Sequence, residues 1–89
     1  MAGTNAVTVQ VMPESPDTDL EEVEKGIRGK LTKAANIQFE ERDIAFGLKA
    51  LVLTLAWPES EDTDEIENSI SEIEGVGSAK IEDIRRAFG

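Results

Sequence analysis

The side chains able to do chemistry in this chain are carboxylates, amines and hydroxyls, because it contains neither His nor Cys. That removes the usual zinc and thiol chemistries at once. Nucleophilic catalysis needs a base beside a Ser, Thr or Cys, and only Lys or a carboxylate is left for that task. Acid–base work by a carboxyl pair requires a buried carboxyl with a raised pKa. The carboxylates here fall instead at helix starts and on solvent-facing positions. The acidic run of Glu59, Glu61, Asp62, Asp64 and Glu65 lacks the alternating loop and glycine turn of an EF-hand, so it reads as helix capping and solvation. Gly75-Val76-Gly77 is too short to cradle a phosphate and does not precede a helix. The expectation is a chain with no catalytic residue, metal site or cofactor of its own.

Contact chemistry is better represented. Phe46 sits in a short turn with Gly47, just before the most apolar segment of the sequence. Turns run over the surface, so a Phe there either folds back into the core or offers itself to a partner as a hot-spot aromatic. Composition alone, with three Phe and one Trp to fill a small core, favours the first. Lys49, three residues on, is either a solvated strand end or one half of a charge pair across an interface. Arg85, Arg86 and Phe88 make a basic, apolar tail on an acidic protein, able to reach an anionic site or simply to fray. Trp57, next to Pro58, reads as a seal for one end of the core.

The formal charge is -10, with 19 acidic against 9 basic residues. Such a field repels phosphate backbones and argues against nucleic acid as a direct partner. It favours encounter with a basic protein surface, and it equally suits a protein kept in solution in concentrated salt. No stretch approaches the ~20 apolar residues that span a bilayer, and the N-terminus lacks the features of a secretory signal. A cytoplasmic, single-domain protein over residues 1–89, monomeric when free, is the expectation.

The elements that must carry these residues follow from periodicity. Val7, Val9 and Val11 alternate with polar residues as on a strand, ended by Pro13 and Pro16. Thr18-Asp19-Leu20-Glu21 matches a capping box, and Leu20, Val23, Ile27 and Leu31 form the apolar stripe of a helix, weakened by Gly26 and Gly29. Residues 36–44 form a charged strand suited to a sheet edge. Its apolar parity slips between Phe39 and Ile44, which predicts a bulge or a break. Residues 48–57 are apolar on both faces and belong in the middle of a sheet. A second helix starts at Asp62 or Thr63, buries Ile66, Ile70 and Ile73, and stops at Gly75. Residues 78–86 form the last strand, with Ile81 and Ile84 again out of parity. Strand, helix, strand, strand, helix, strand predicts an α+β ferredoxin-like sandwich, two helices on one face of a four-stranded antiparallel sheet. The expected strand order is 4-1-3-2.

The turn and strand Ala45-Phe46-Gly47-Leu48-Lys49-Ala50-Leu51, the opening strand ending in Met12-Pro13, and the helix announced by Asp62-Thr63-Asp64 together resemble the small archaeal elongation factor 1-beta. That family exchanges guanine nucleotide on the translational GTPase elongation factor 1-alpha. The resemblance implies the same ferredoxin-like fold. It also implies that the turn at Phe46 leads into the GTPase contact, which reverses the preference for a purely structural Phe. In eukaryotic relatives a lysine next to the C-terminus approaches the GTPase magnesium site. Here the chain ends Ala87-Phe88-Gly89, so that role is not carried over, and Arg85 or Arg86 is only an electrostatic substitute. The alternative is a small-ligand regulatory module of the same fold, using the half-apolar open face of Met12, Ala50 and Val52. An RNA-binding sheet would need exposed aromatics and a basic surface, and this chain has neither.

Overall fold

A computed structural model describes residues 3–15, 17–44 and 47–88. Six elements follow in order: β1 (Thr4–Pro13), α1 (Leu20–Lys30), β2 (Ala35–Asp43), β3 (Lys49–Pro58), α2 (Asp64–Ser71) and β4 (Val76–Phe88). The strands make one antiparallel sheet in the order β2-β3-β1-β4, so the two most apolar strands lie inside and the two charged ones at the edges. Both helices cover the same face, which gives the ferredoxin-like sandwich. Val7, Val9 and Val11 of β1 and Leu51, Leu53 and Leu55 of β3 meet Val23, Ile27, Ile66 and Ile70 of the helices in one buried cluster. Trp57, 1% exposed, closes the cluster at the end of β3. Among the described residues no charged side chain is buried, and no helix is long and apolar enough to cross a membrane.

Several boundaries differ from those the periodicity predicts, each for a local reason. The start of α1 is capped by Asp19, whose Oδ1 accepts the Glu21 N–H at 3.0 Å, and Thr18 is not the cap. The Thr18 hydroxyl turns back and accepts the Ser15 N–H at 3.3 Å. Helix α2 begins at Asp64, where Asp62 Oδ1 accepts the Asp64 N–H at 2.9 Å. It ends at Ser71 rather than at Gly75. Gly75 instead takes a left-handed φ of 95° to turn the chain into β4, and its carbonyl accepts the Glu14 N–H at 2.9 Å.

The parity slip in β2 is a break. Pairing with β3 runs without a shift from Gln38 to Asp43, and Ile44 lies beyond the strand. The irregularity falls earlier, between Ala35 and Gln38, where Asn36 has a φ of 53°. In β4 the slip is a true bulge. Val9 faces Ile81 and Thr8 faces Asp83, so Glu82 is left over. The extra residue brings Ile81 and Ile84 opposite Val9 and Val7, on the helix-covered face.

Gly26 and Gly29 have different environments. A Cβ on Gly26 would come within 2.9 Å of Ile73, so this glycine lets the segment after α2 close onto α1. Gly29 has nothing within 4 Å of that position. At the far end of α1, Lys33 pairs with Glu61 and, at 3.3 Å, with Glu65, tying the loop after α1 to the start of α2. Hydrogen bonds to Glu61 and then Glu65 hold the Lys33 ammonium above its usual pKa.

Candidate functional site

The β2–β3 turn carries the first group of candidate contact residues. It is closed by the Ile44 N–H, which donates to the Leu48 carbonyl at 2.8 Å. Gly47 adopts a φ of 74°, the left-handed region that favours glycine. Phe46, with Ala45, lies outside the described residues. Lys49 opens β3 on the helix-covered side, exposed, with its ammonium 3.6 Å from Glu41 Oε1. Pro13, Ser15, Thr18, Leu20, Gly47 and Lys49 line a cleft of about 240 Å³ between the turn and the loop leaving β1. Gly47 and Lys49 are exposed where the hairpin reverses, on strands whose register runs without a shift from Gln38 to Asp43.

Arg85, Arg86 and Phe88 lie at the other end of the sheet. The last strand runs to Phe88, two residues further than periodicity predicts, and pairs with β1 throughout, Phe88 opposite Thr4. The backbone through Phe88 is thus docked on the sheet, which replaces the frayed-tail alternative. Arg85 Nε lies 2.7 Å from Asp83 Oδ2, and Arg86 Nη2 lies 2.8 Å from Glu59 Oε1. Both guanidinium groups stay largely exposed. Ile84 beside them is 46% exposed, a large apolar side chain in an otherwise charged stretch.

These two groups do not form one pocket. Asp43 pairs with Lys49 at one end of the hairpin, while Asn5 pairs with both Trp57 and Arg86 at the other. At ~3.3 Å per residue along a strand, the separation is about 25 Å. The molecule is 44 Å long and 22 Å by 18 Å across, so the two groups of candidate residues lie toward opposite ends of the long axis. Such an arrangement suits a partner large enough to be touched in two places.

The acidic run that precedes α2 is occupied locally: Asp62 Oδ1 accepts the Asp64 N–H from one residue ahead of the N-cap Thr63, and Glu61 and Glu65 hold Lys33. Among the described residues no group of three or more Asp and Glu is arranged to hold a metal ion. The open face also differs from the half-apolar surface that a small-ligand module would use. Ala50 is fully buried and Val52 is 5% exposed, although no helix covers them.

Two interactions escape sequence reasoning. Arg42 on β2 pairs with Glu82 on β4 at 3.1 Å, and Glu67 of α2 accepts the Ile81 N–H at 2.8 Å. Partners forty and fourteen residues apart leave no local signal. The isoleucine parity in β4 does mark the bulge that both interactions hold.

Residues 6–87 match the family model described as the EF-1 guanine nucleotide exchange domain. Similar proteins include elongation factor 1-beta of Methanosphaerula palustris, 42% identical over 92% of this chain and 95% of that protein. The elongation factor 1-beta of Methanothermobacter thermautotrophicus is 40% identical over 94% of this chain and 97% of its own length. That of Halorubrum lacusprofundi is 36% identical, again over 94% of this chain and 98% of its own. The four-stranded sheet and its two helices are thus matched along nearly their whole length: this chain belongs to the EF-1 guanine nucleotide exchange domain family and is a guanine nucleotide exchange factor of archaeal elongation factor 1-beta type.

Proposed function

We propose that this chain promotes replacement of GDP by GTP on elongation factor 1-alpha, working as a monomer in the cytoplasm and without covalent chemistry or direct contact with nucleic acid. The family match over residues 6–87 is the observation that carries the reading. Exchange needs no bond-making by the factor. The nucleotide is held by backbone donors, a lysine and a magnesium ion bridging phosphates. A factor that binds the empty GTPase better than the loaded one weakens nucleotide binding by the same ratio, because linkage is reciprocal.

In this reading Phe46 is the anchor. Gly47 sets the turn that presents it, and Lys49 adds a charge pair across the interface. The strand end with Arg85, Arg86 and Phe88 reaches the switch and magnesium region of the GTPase. The separation of the two groups supports a factor that straddles its partner, gripping one part and disturbing another.

The test is release of a fluorescent GDP from the cognate elongation factor 1-alpha, followed with increasing amounts of this protein. Wild type is expected to accelerate release in a saturable way. Phe46→Ala is expected to raise the half-maximal concentration roughly thirtyfold, the loss of an aromatic anchor of ~2 kcal/mol. A release rate unchanged by wild-type protein would refute the function, and an unimpaired Phe46→Ala would refute the anchor.

A further inference from the structure

Arg42 and Glu82 belong to the two outermost strands of the sheet, yet their side chains meet. Arg42 Nη1 lies 3.1 Å from Glu82 Oε2 and 3.4 Å from Oε1. In a sheet ordered β2-β3-β1-β4 these strands are three spacings apart, about 14 Å. Arg42 faces Ala50 in register, on the side the helices leave open. The pair therefore runs crosswise over β3 and β1. On β3 the small residues Ala50 and Val52 lie beneath it, with Gln10 of β1 opposite Val52, and the long side chains lie over them with apolar stems down and charged heads outward. The burial of Ala50 and Val52 on an uncovered face fits that cover.

Each end of this crossing is placed where the chain changes course. Arg42 comes two residues before Ile44, whose N–H closes the β2–β3 turn. Glu82 is the extra residue of the β4 bulge, from which the strand continues to Arg85, Arg86 and Phe88. The bulge is gripped from the helix side as well, by the Glu67 carboxylate on the Ile81 N–H. Its geometry is thus set by two contacts, one of which comes from the strand that leads into the turn.

We propose that Arg42 and Glu82 are positioning residues: their ion pair is a strap that couples the β2–β3 turn to the C-terminal arm and fixes how the two contact regions are offered to the GTPase. The proposal rests on the reading of those regions as contacts given above. The strap acts by holding the arm in its bound orientation before docking, which reduces the ordering cost of association. Neither side chain needs to touch the partner.

Exposed ion pairs add little to folding stability, so single variants keep the fold and the test stays clean. Arg42→Met and Glu82→Gln are each expected to raise the half-maximal concentration for GDP release about threefold to fivefold, the range one exposed ion pair can transmit. The rate at saturation stays at the wild-type value. The double reversal R42E/E82R is expected to restore the half-maximal concentration, because the strap works in either polarity. Single variants with wild-type behaviour would overturn the proposal. So would a double reversal as impaired as the singles, which would mean that the charges meet the GTPase directly. Amide hydrogen exchange of the free protein supplies a readout that needs no GTPase. In Arg42→Met, amides in residues 83–88 are expected to exchange several times faster while those of α1 stay unchanged. Unchanged exchange in 83–88 would also overturn the strap. If wild type does not accelerate GDP release, the proposed function falls, and the exchange experiment still decides whether the two ends are coupled.

Discussion

Asp19 Oδ1 takes the Glu21 N–H at 3.0 Å, and this bond satisfies one of the free donors at the start of α1. Asp19→Ala is expected to lower unfolding free energy by about 1 kcal/mol, the usual worth of such a cap. Thr18→Ala, whose hydroxyl serves an exposed loop, is expected to change it by less than about 0.5 kcal/mol. Urea unfolding of the two variants separates these outcomes. Thr and Asp are both capping types, and they are adjacent here, so the sequence alone leaves the helix start open by one residue. The chain settles it by turning Thr18 back onto Ser15. The turn at Gly47 is a legible case, a glycine just before an apolar strand, and its φ of 74° shows how the residue serves that turn. The partners of Arg85 and Arg86 differ in legibility. Asp83 is two residues away, whereas Glu59 arrives from the end of β3 only once the sheet has formed.

Among the elements, α1 offers a paired experiment. Gly29 is exposed near the helix C-terminus and meets nothing within 4 Å at the position of a Cβ, so Gly29→Ala is expected to raise stability by about 0.5–1 kcal/mol. A Cβ on Gly26 would lie 2.9 Å from Ile73 Cγ2. Gly26→Ala is expected to gain nothing or to destabilise, because the helix propensity is offset by displacing Ile73. Thermal melts of both variants check the contrast; a stabilised Gly26→Ala would show that Ile73 moves aside freely. Propensity treats these glycines alike, and only the packing of α1 against the chain after α2 tells them apart. The strands were legible to different degrees for the same kind of reason. The central pair, apolar on alternate or both faces, follows from patterning. At the edges, charge outnumbers apolar residues, so one parity slip marks the end of β2 and another marks a bulge in β4. Distinguishing them takes the partner strand, because a bulge is a property of a pair.

For the whole molecule, charge is the governing quantity. Lys25, Lys30, Lys33, Arg42, Lys49, Arg85 and Arg86 all lie in ion pairs, which engages seven of the nine basic residues. The surplus of carboxylates that makes the net charge -10 is left to repel itself across a small surface. Raising ionic strength from about 0.01 M to 0.5 M shortens the screening length from roughly 30 Å to a few ångströms. The melting temperature is expected to rise over that range, whereas association with a basic partner slows. Calorimetry and stopped-flow mixing read the two effects, and a melting temperature that falls with salt would mean that the ion pairs outweigh the repulsion. The pairing of β1 with β4 has a temporal consequence. β1 is an inner strand, and its neighbour β4 is made after the other five elements, with Thr4 opposite Phe88. A ribosome therefore releases the central strand long before the ladder that flanks it can close. The β2–β3 hairpin is available earlier, but completion of the sheet must wait for the residues of β4, and closing so long a loop makes non-local topologies slow to fold.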